Sequence, residues 1–554
     1  MLWRWRDPKI GTHRARAPRP AARGFAAAGG KPRIVVGAVV ALSAAVAAGA
    51  TAYEGGPGHS RPATASLTAV TRPPVATTSV LADPADLVAA HAASTMFASA
   101  PVAVVANADR VADLTEAAAR AERAHAPLLL VFPRATGPHG EGPRATGPQA
   151  TQPDVTTMSA AVVLRTAVRS LNIRAVLDVG VAAGMLAAQL PRVQVTTDPT
   201  ALPATRAPAP LHHVVVLVHA GDTTAGATAA VATARAAGAQ VVDIAGYDPR
   251  ADPAAISAMS AAKPRHVLAV GGRFGPARLL AARVAVAETG VQLPGGGQVL
   301  FPMHRLLALY GYPGTPMLGA LGQQGLSASI SRIRDIAASY RPLSSAPVIP
   351  AFEIIATVAQ ANPGRDGSYS HQSAVAALRP WVGRASATGM YVILDLQPGR
   401  ASLLTQAMRY RRLLELPNVG LALDPEWKLQ AGQRPLNQIG SVDSSEVNSV
   451  IEWLARLTAR ARLPQKLLVL HQFRLSMIAG EQRLDTTHDD LAIVIHMDGQ
   501  GTQADKLQTW QAVTGAAPSG VFFGWKNFFV KDDPMLSPLQ TMSNSPQPVM
   551  ISYQ

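Results

Sequence analysis

From residue 83 to 298, short runs of almost unbroken apolar residues alternate with alanine-rich stretches. The runs at 102–106, 127–132, 175–180, 213–218, 240–244 and 266–271 are five or six residues long. Such runs are typical of parallel strands buried on both faces. Helical stretches at 107–126 and 224–237 separate them, which predicts a parallel α/β domain over 83–298. A Gly/Pro-rich insertion carries Pro-Arg-Ala-Thr-Gly-Pro twice, at 133–138 and 143–148, and reads as a surface loop.

A second pattern starts at 299 and runs to 554. Eight strand-like runs follow one another, at 304–312, 348–356, 391–397, 419–427, 466–473, 491–499, 520–528 and 549–554. Amphipathic stretches at 328–340, 373–384, 403–416, 444–462 and 505–514 lie between them. Eight βα alternations in roughly 250 residues predict a (β/α)8 TIM barrel. The stretch 444–462 is the best delimited helix. Asp443 or Ser444 can cap it, Glu446 adds early negative charge, and Val447, Val450, Ile451, Leu454 and Leu457 make one apolar stripe.

The N-terminal residues change the picture. Residues 34–53 are about twenty uncharged, mostly apolar positions, enough to cross a bilayer as a helix. Nine basic residues and one acidic residue precede them in 1–33, over half of the net charge of +15. Basic residues before an apolar run stay cytoplasmic, so the segment reads as a signal anchor that places the rest outside the membrane. Ala50-Thr51-Ala52 also fits a signal-peptidase site, which would give a secreted chain instead. The excess charge is thereby topological, and no nucleic-acid partner follows from it. Residues 54–82, rich in Pro, Thr and Ala, read as a linker.

The chain has no cysteine, which excludes disulfides, thiolate metal sites, a cysteine nucleophile and a cysteine-linked lipid anchor. Gly221–Gly226 lacks the Lys-Ser/Thr of a phosphate loop and 271–275 is not spaced for a dinucleotide, so both read as turns. No cofactor is implied.

In a barrel of this kind the chemistry sits where the strands end. Glu353 ends the second run, Asp395 and Gln397 the third, Asp424 and Glu426 the fourth, and His471 and Gln472 the fifth. His496 and Asp498 end the sixth, Trp525 and Lys526 the seventh, Tyr553 the eighth, and Tyr310 and Tyr312 the first. Trp427 follows Glu426. Strand periodicity puts Asp424 with Glu426, Asp395 with Gln397, and His496 with Asp498 on shared faces. Grouped carboxylates with flanking aromatics suit glycoside hydrolysis, where one acid protonates the leaving oxygen and a second group stabilises or attacks the sugar cation. His471, His496, Asp395 and Asp498 could instead reach one metal ion. The His-x-His pair of amidohydrolase-type barrels is absent, however, because the first strand carries Leu307-Ala308-Leu309, and no metal is assigned.

Two resemblances extend this reading. Residues 100–109, 112–114 and 126–131, with 171–180 as a following half-repeat, resemble the repeat of bacterial type 2 cell-wall-binding modules. That resemblance implies a partner in cell-wall polysaccharide or peptidoglycan. The run Gly420-Leu421-Ala422-Leu423-Asp424-Pro425-Glu426-Trp427 resembles the Asp-x-Glu signature of chitinase-like and some lysozyme-like barrel hydrolases, and Met497-Asp498 resembles their second acidic position. It implies Glu426 as the acid, with Asp424 and Asp498 orienting or stabilising the reacting groups. The seventh strand departs from many retaining hydrolases by ending in Lys526. The chain is therefore expected to be a membrane-anchored envelope protein that binds and hydrolyses a wall glycan, or else a non-catalytic wall-binding scaffold with a hydrolase-like barrel.

Overall fold

The computed structural model describes residues 67–132, 159–182 and 184–554. The basic tail at 1–33, the apolar run at 34–53 and the duplicated hexapeptide at 133–148 lie outside the described residues. Among the described residues no helix is long and apolar enough to cross a membrane.

All six strands anticipated before residue 298 form, and they divide between two four-stranded parallel sheets. One sheet orders Leu128–Val131, Val102–Asn107, Ala175–Val179 and Gln194–Thr196; the other orders Gln240–Ile244, Val214–His219, His266–Val270 and Thr78–Leu81. Strand Thr78–Leu81 corrects the linker reading at its C-terminal end, because it pairs in parallel with His266–Val270. Its four residues were too short a run, after Pro73-Pro74, to stand out as a strand. Helices Ala85–Met96 and Ala225–Ala236 share one core with both sheets through Ala92, Ala93, Ala227 and Ala230. Alanine at these positions lets helix backbones approach closely, so the alanine richness here serves packing.

The C-terminal half closes into a barrel of eight parallel strands: β1 (Arg305–Gly311), β2 (Val348–Ala359), β3 (Tyr391–Leu396), β4 (Val419–Leu423), β5 (Lys466–Gln472), β6 (Leu491–Met497), β7 (Phe522–Asn527) and β8 (Met550–Tyr553). β1 pairs with both β2 and β8, which closes the ring. Every strand is sequestered on both sides, and the period of two decides which side each residue serves. Leu306, Ala308, Ala351, Ile393, Ala422, Val469, Val494 and Met550 fill the interior, and Leu293, Leu300 and Phe301 plug its N-terminal end. Leu307, Phe352, Leu394, Leu421, Leu470 and Ile551 face the surrounding helices.

The helices follow the apolar periodicity. Ser444–Arg460 is capped by Asp443, whose Oδ1 accepts from the Ser445 amide at 2.9 Å, and it buries Val447, Val450, Ile451, Leu454 and Leu457. The expected helix over 403–416 breaks into Leu403–Arg409 and Arg411–Leu414. Between them the buried Tyr410 hydroxyl donates toward the carbonyls of Ala356 and Ser373, at 2.8 and 3.0 Å.

The described residues form one compact unit. A charged cluster ties the α/β sheets to the N-terminal end of the barrel. Asp489, just before β6, accepts from Arg250 Nη2 at 2.6 Å and Arg283 Nη2 at 2.7 Å, while Asp248 lies 2.8 Å from Arg250 and 3.3 Å from Arg283. Burial raises the Asp489 carboxyl pKa, but the bonds and charges of Arg283 and Arg250 outweigh it and hold the value below the ordinary carboxylate range. Stability from this group is present above the unfolded value near 4 and is lost as pH falls through the lower folded value. Asp489→Ala is expected to cost about 1–3 kcal/mol in denaturant melts, since it leaves the two guanidiniums with Asp248 as their one remaining ion-pair partner among the described residues. An unchanged midpoint would show that the cluster does not tie the two halves together.

Candidate active site

The inward positions at the C-terminal ends of the strands form one buried polar tier. Tyr310, Glu353, Asp395, His471, His496, Lys526 and Ser552 lie there, all at most 3% exposed. They sit one layer above the apolar interior because each is two residues beyond an inward apolar or glycine position on its strand. Register joins Tyr310 to Glu353, His471 to His496, and Lys526 to Ser552 as lateral neighbours. Gly524 makes room for this tier: a Cβ there would fall 2.5 Å from His496 Cδ2.

His471 is the hub. Its Nε2 lies 2.9 Å from Glu353 Oε1 and 3.9 Å from Asp395 Oδ1, and its Nδ1 lies 3.3 Å from Asp498 Oδ2. Burial pushes the His471 pKa down, but Glu353 and Asp498 overcome it and raise it well above the ordinary imidazole value. His496, edge-on to His471 with ring centroids 5.1 Å apart, is driven the other way by burial and by the neighbouring cation. Its Nε2 sits 3.2 Å from Ser552 Oγ. The two imidazoles are therefore pushed in opposite directions, His471 toward the cation and His496 toward the neutral ring.

Tyr310 organises the opposite wall. Its hydroxyl donates to Asp395 Oδ2 at 3.0 Å and accepts from Gln397 Nε2 at 3.3 Å, and Lys526 Nζ stands 3.5 Å from its ring centroid. Behind β7, Lys506 Nζ donates to the Lys526 carbonyl at 2.6 Å and pairs with Asp532.

The carboxyls are split by their surroundings. Burial raises Asp395 to about 6 and Glu426 to about 7, with Glu353 adding to the first and Asp498 to the second. Asp424, shielded from solvent and facing Glu426, Asp395 and Asp498, is raised well above the carboxylate range. Burial pushes Asp498 up as well, but the His471 bond and charge, with Lys526, more than reverse it and hold the carboxyl low. The shifts thus separate Glu426 and Asp424, held toward the protonated form, from Asp498, held toward the carboxylate. Glu353 Oε2, Asp395 Oδ1, Asp424 Oδ1, Asp498 Oδ1 and His496 Nδ1 are buried without a hydrogen-bond partner in the protein. Unsatisfied polar atoms of this kind cost stability unless something supplies the missing bonds.

Asp424→Asn removes the buried carboxyl that its surroundings most disfavour. It is expected to raise stability by about 1–2 kcal/mol at pH 8, because a group whose folded pKa is raised contributes stability below its unfolded value and loses it as pH climbs through the folded one. Equal melting of variant and wild type from pH 5 to 8 would contradict this.

The other anticipated residues separate by strand parity. Gln397 and Asp498 continue the inward face. Gln472, Trp525 and Tyr553 point outward and do not line the mouth. Gln472 Nε2 donates to Glu481 Oε2 at 2.8 Å, Trp525 packs on Trp510, and the Tyr553 hydroxyl lies 2.6 Å from that of Tyr340 on Leu326–Tyr340. β4 ends at Leu423, since Pro425 lacks an amide for the ladder, and Pro425–Trp427 is a 3-10 turn. Asp424 and Glu426 are consequently neighbours across a turn instead of two positions on one strand face. Glu426 and Trp427 are half-buried at the opening, as is Tyr312, whose hydroxyl is 3.5 Å from Ser373 Oγ. Ser552 was missed, although counting by two from inward Met550 places it. Among the described residues no group of three or more side chains converges as a metal-binding set.

No family model, no curated protein and no solved structure matches this chain.

Proposed function

We propose that the barrel binds and hydrolyses a glycan of the cell envelope, with Glu426 as the proton donor and Asp498 as the ionised carboxylate. The observation that carries the reading is the convergence of Glu353, Asp395, Asp424 and Asp498 around His471 at the C-terminal mouth, with Glu426 half-buried at its opening. Glycoside cleavage needs a protonated acid and an ionised carboxylate around one bond. Opposite perturbation of Glu426 and Asp498 supplies that pair. Trp427, beside Glu426, offers the aromatic face on which a sugar ring stacks. Delivery to the envelope through the 34–53 segment, and a wall-binding role for the α/β sheets, belong to the same proposal and rest on the sequence.

The test is release of reducing ends from purified wall and from polysaccharide substrates by residues 64–554. No release from any substrate would leave the hydrolase reading unsupported. A second reading, a barrel that holds a glycan without turnover, draws on β7, whose last inward position is Lys526 over Tyr310, where a carboxylate nucleophile would stand in a retaining hydrolase. Glycan binding without release of reducing ends would favour it.

A further inference from the structure

The loops that follow the barrel strands carry an unusual set of exposed side chains. Val530, Met317 and Leu436 are 90%, 88% and 74% exposed, three of the four most exposed large apolar residues in the described structure. They belong to the loops after β7, β1 and β4, and Leu475, after β5, adds a fourth at 47%. Parallel topology puts all four loops at the same end of the barrel, around the mouth. Scattered apolar residues need no explanation, but aliphatic tips on four loops of one rim do.

The same rim is basic. Arg365, Arg400, Arg434 and Arg474 are exposed on the loops after β2, β3, β4 and β5, against exposed Asp366, Asp443 and Asp533. Arg400 lies over the Tyr369 ring at 4.7 Å, which fixes it at the rim. Glu353, Asp395, Asp424 and Asp498 are buried behind this collar and contribute little to the outer surface, and Glu426 is half-buried at the opening.

We infer that the mouth collar docks on an anionic lipid surface, with the aliphatic tips entering the headgroup boundary and the arginines contacting lipid phosphates. Charge complementarity selects an anionic partner, and the aliphatic tips select lipid over a soluble polyanion. A sugar polymer is gripped by aromatic faces and hydrogen bonds and a phosphate polymer by cations, and exposed Val, Met and Leu tips add nothing to either. Apolar insertion beside basic residues is the known arrangement of interfacial binding. Substrate would then reach the carboxylates from the membrane side. The inference does not depend on glycan hydrolysis.

The test is cosedimentation of residues 64–554 with vesicles of phosphatidylcholine alone and of phosphatidylcholine mixed equally with phosphatidylglycerol. Binding to the mixed vesicles is expected, with little to phosphatidylcholine and a clear loss at about 0.5 M salt. The triple variant M317D/L436D/V530D is expected to bind the mixed vesicles at least about tenfold more weakly while melting like the wild type, because all three side chains are exposed. Wild type left in the supernatant, or a folded triple variant that binds as well as wild type, would overturn the inference. Retention on soluble poly(glycerol phosphate) equal to that on vesicles and unchanged in the triple variant would overturn it in favour of an anionic polymer.

Discussion

Glu426→Gln in residues 64–554 is expected to lower reducing-end release by about 10²–10⁴-fold, the usual contribution of a positioned general acid. Glutamine keeps the size and most of the hydrogen bonding of the side chain but has no proton to give. The wild-type pH profile should identify the same group. Glu426 is raised to about 7 by burial first and by Asp498 second, so the protonated form persists to neutrality. Activity is expected to fall as pH rises through about 7, as the acid ionises. On the acid side Asp498 must stay ionised, and its lowered pKa keeps it so until pH drops below the ordinary carboxylate range. A Glu426→Gln variant with wild-type rate on a substrate the wild type cleaves would remove Glu426 from the chemistry while leaving the barrel's activity intact.

The second large effect is on folding. Glu353 and His471 form a salt bridge of 2.9 Å with neither side chain exposed to solvent. Removing Glu353 takes away the nearest counter-charge of the buried imidazolium and leaves it Asp498 at 3.3 Å and Asp395 at 3.9 Å, so Glu353→Leu is expected to cost about 2–4 kcal/mol in denaturant melts. Changing both, as Glu353→Leu with His471→Leu, is expected to recover part of that loss, because the desolvation of the imidazolium disappears with its partner. A single-variant cost below about 1 kcal/mol would mean that the pair is solvated in solution. The sign with pH also follows. His471 is raised above its unfolded value, so its contribution is full below about 6.5 and declines as pH climbs through the folded value. The raised carboxyls Asp395, Glu426 and Asp424 act in the same direction from lower pH. The wild-type protein is accordingly expected to be less stable at pH 9 than at pH 5, and calorimetry at the two values reads this directly.

The pattern of apolar runs by itself determined a good deal: six of the eight strands that make up the two parallel sheets, and all eight of the barrel, were legible as runs. Burial on both faces forces nearly continuous hydrophobicity, and helices such as Ser444–Arg460 carry their cap and stripe within a few residues. These are local constraints, written where they act. The identity of the polar tier was partly legible for the same reason, because polar residues at the ends of otherwise apolar strands mark the mouth. What the sequence did not decide was direction and pairing. Trp525 and Tyr553 sit at strand ends like Lys526 and Ser552, yet one position's difference turns them out to Trp510 and Tyr340, away from the site. The turn at Pro425 breaks the strand count that would have set Asp424 and Glu426 on one face. Asp489 reads locally as part of a turn, and only closure of the fold brings Arg250 and Arg283, more than two hundred residues away, to meet it. Protonation was least legible of all: Asp498 and Glu426 are both strand-end carboxyls in the sequence. Only the tertiary structure places His471 and Lys526 to hold Asp498 ionised and sets Glu426 where desolvation and Asp498 keep its proton on. Long-range electrostatics in a buried site depends on which charges are brought together, and that is a property of the closed barrel.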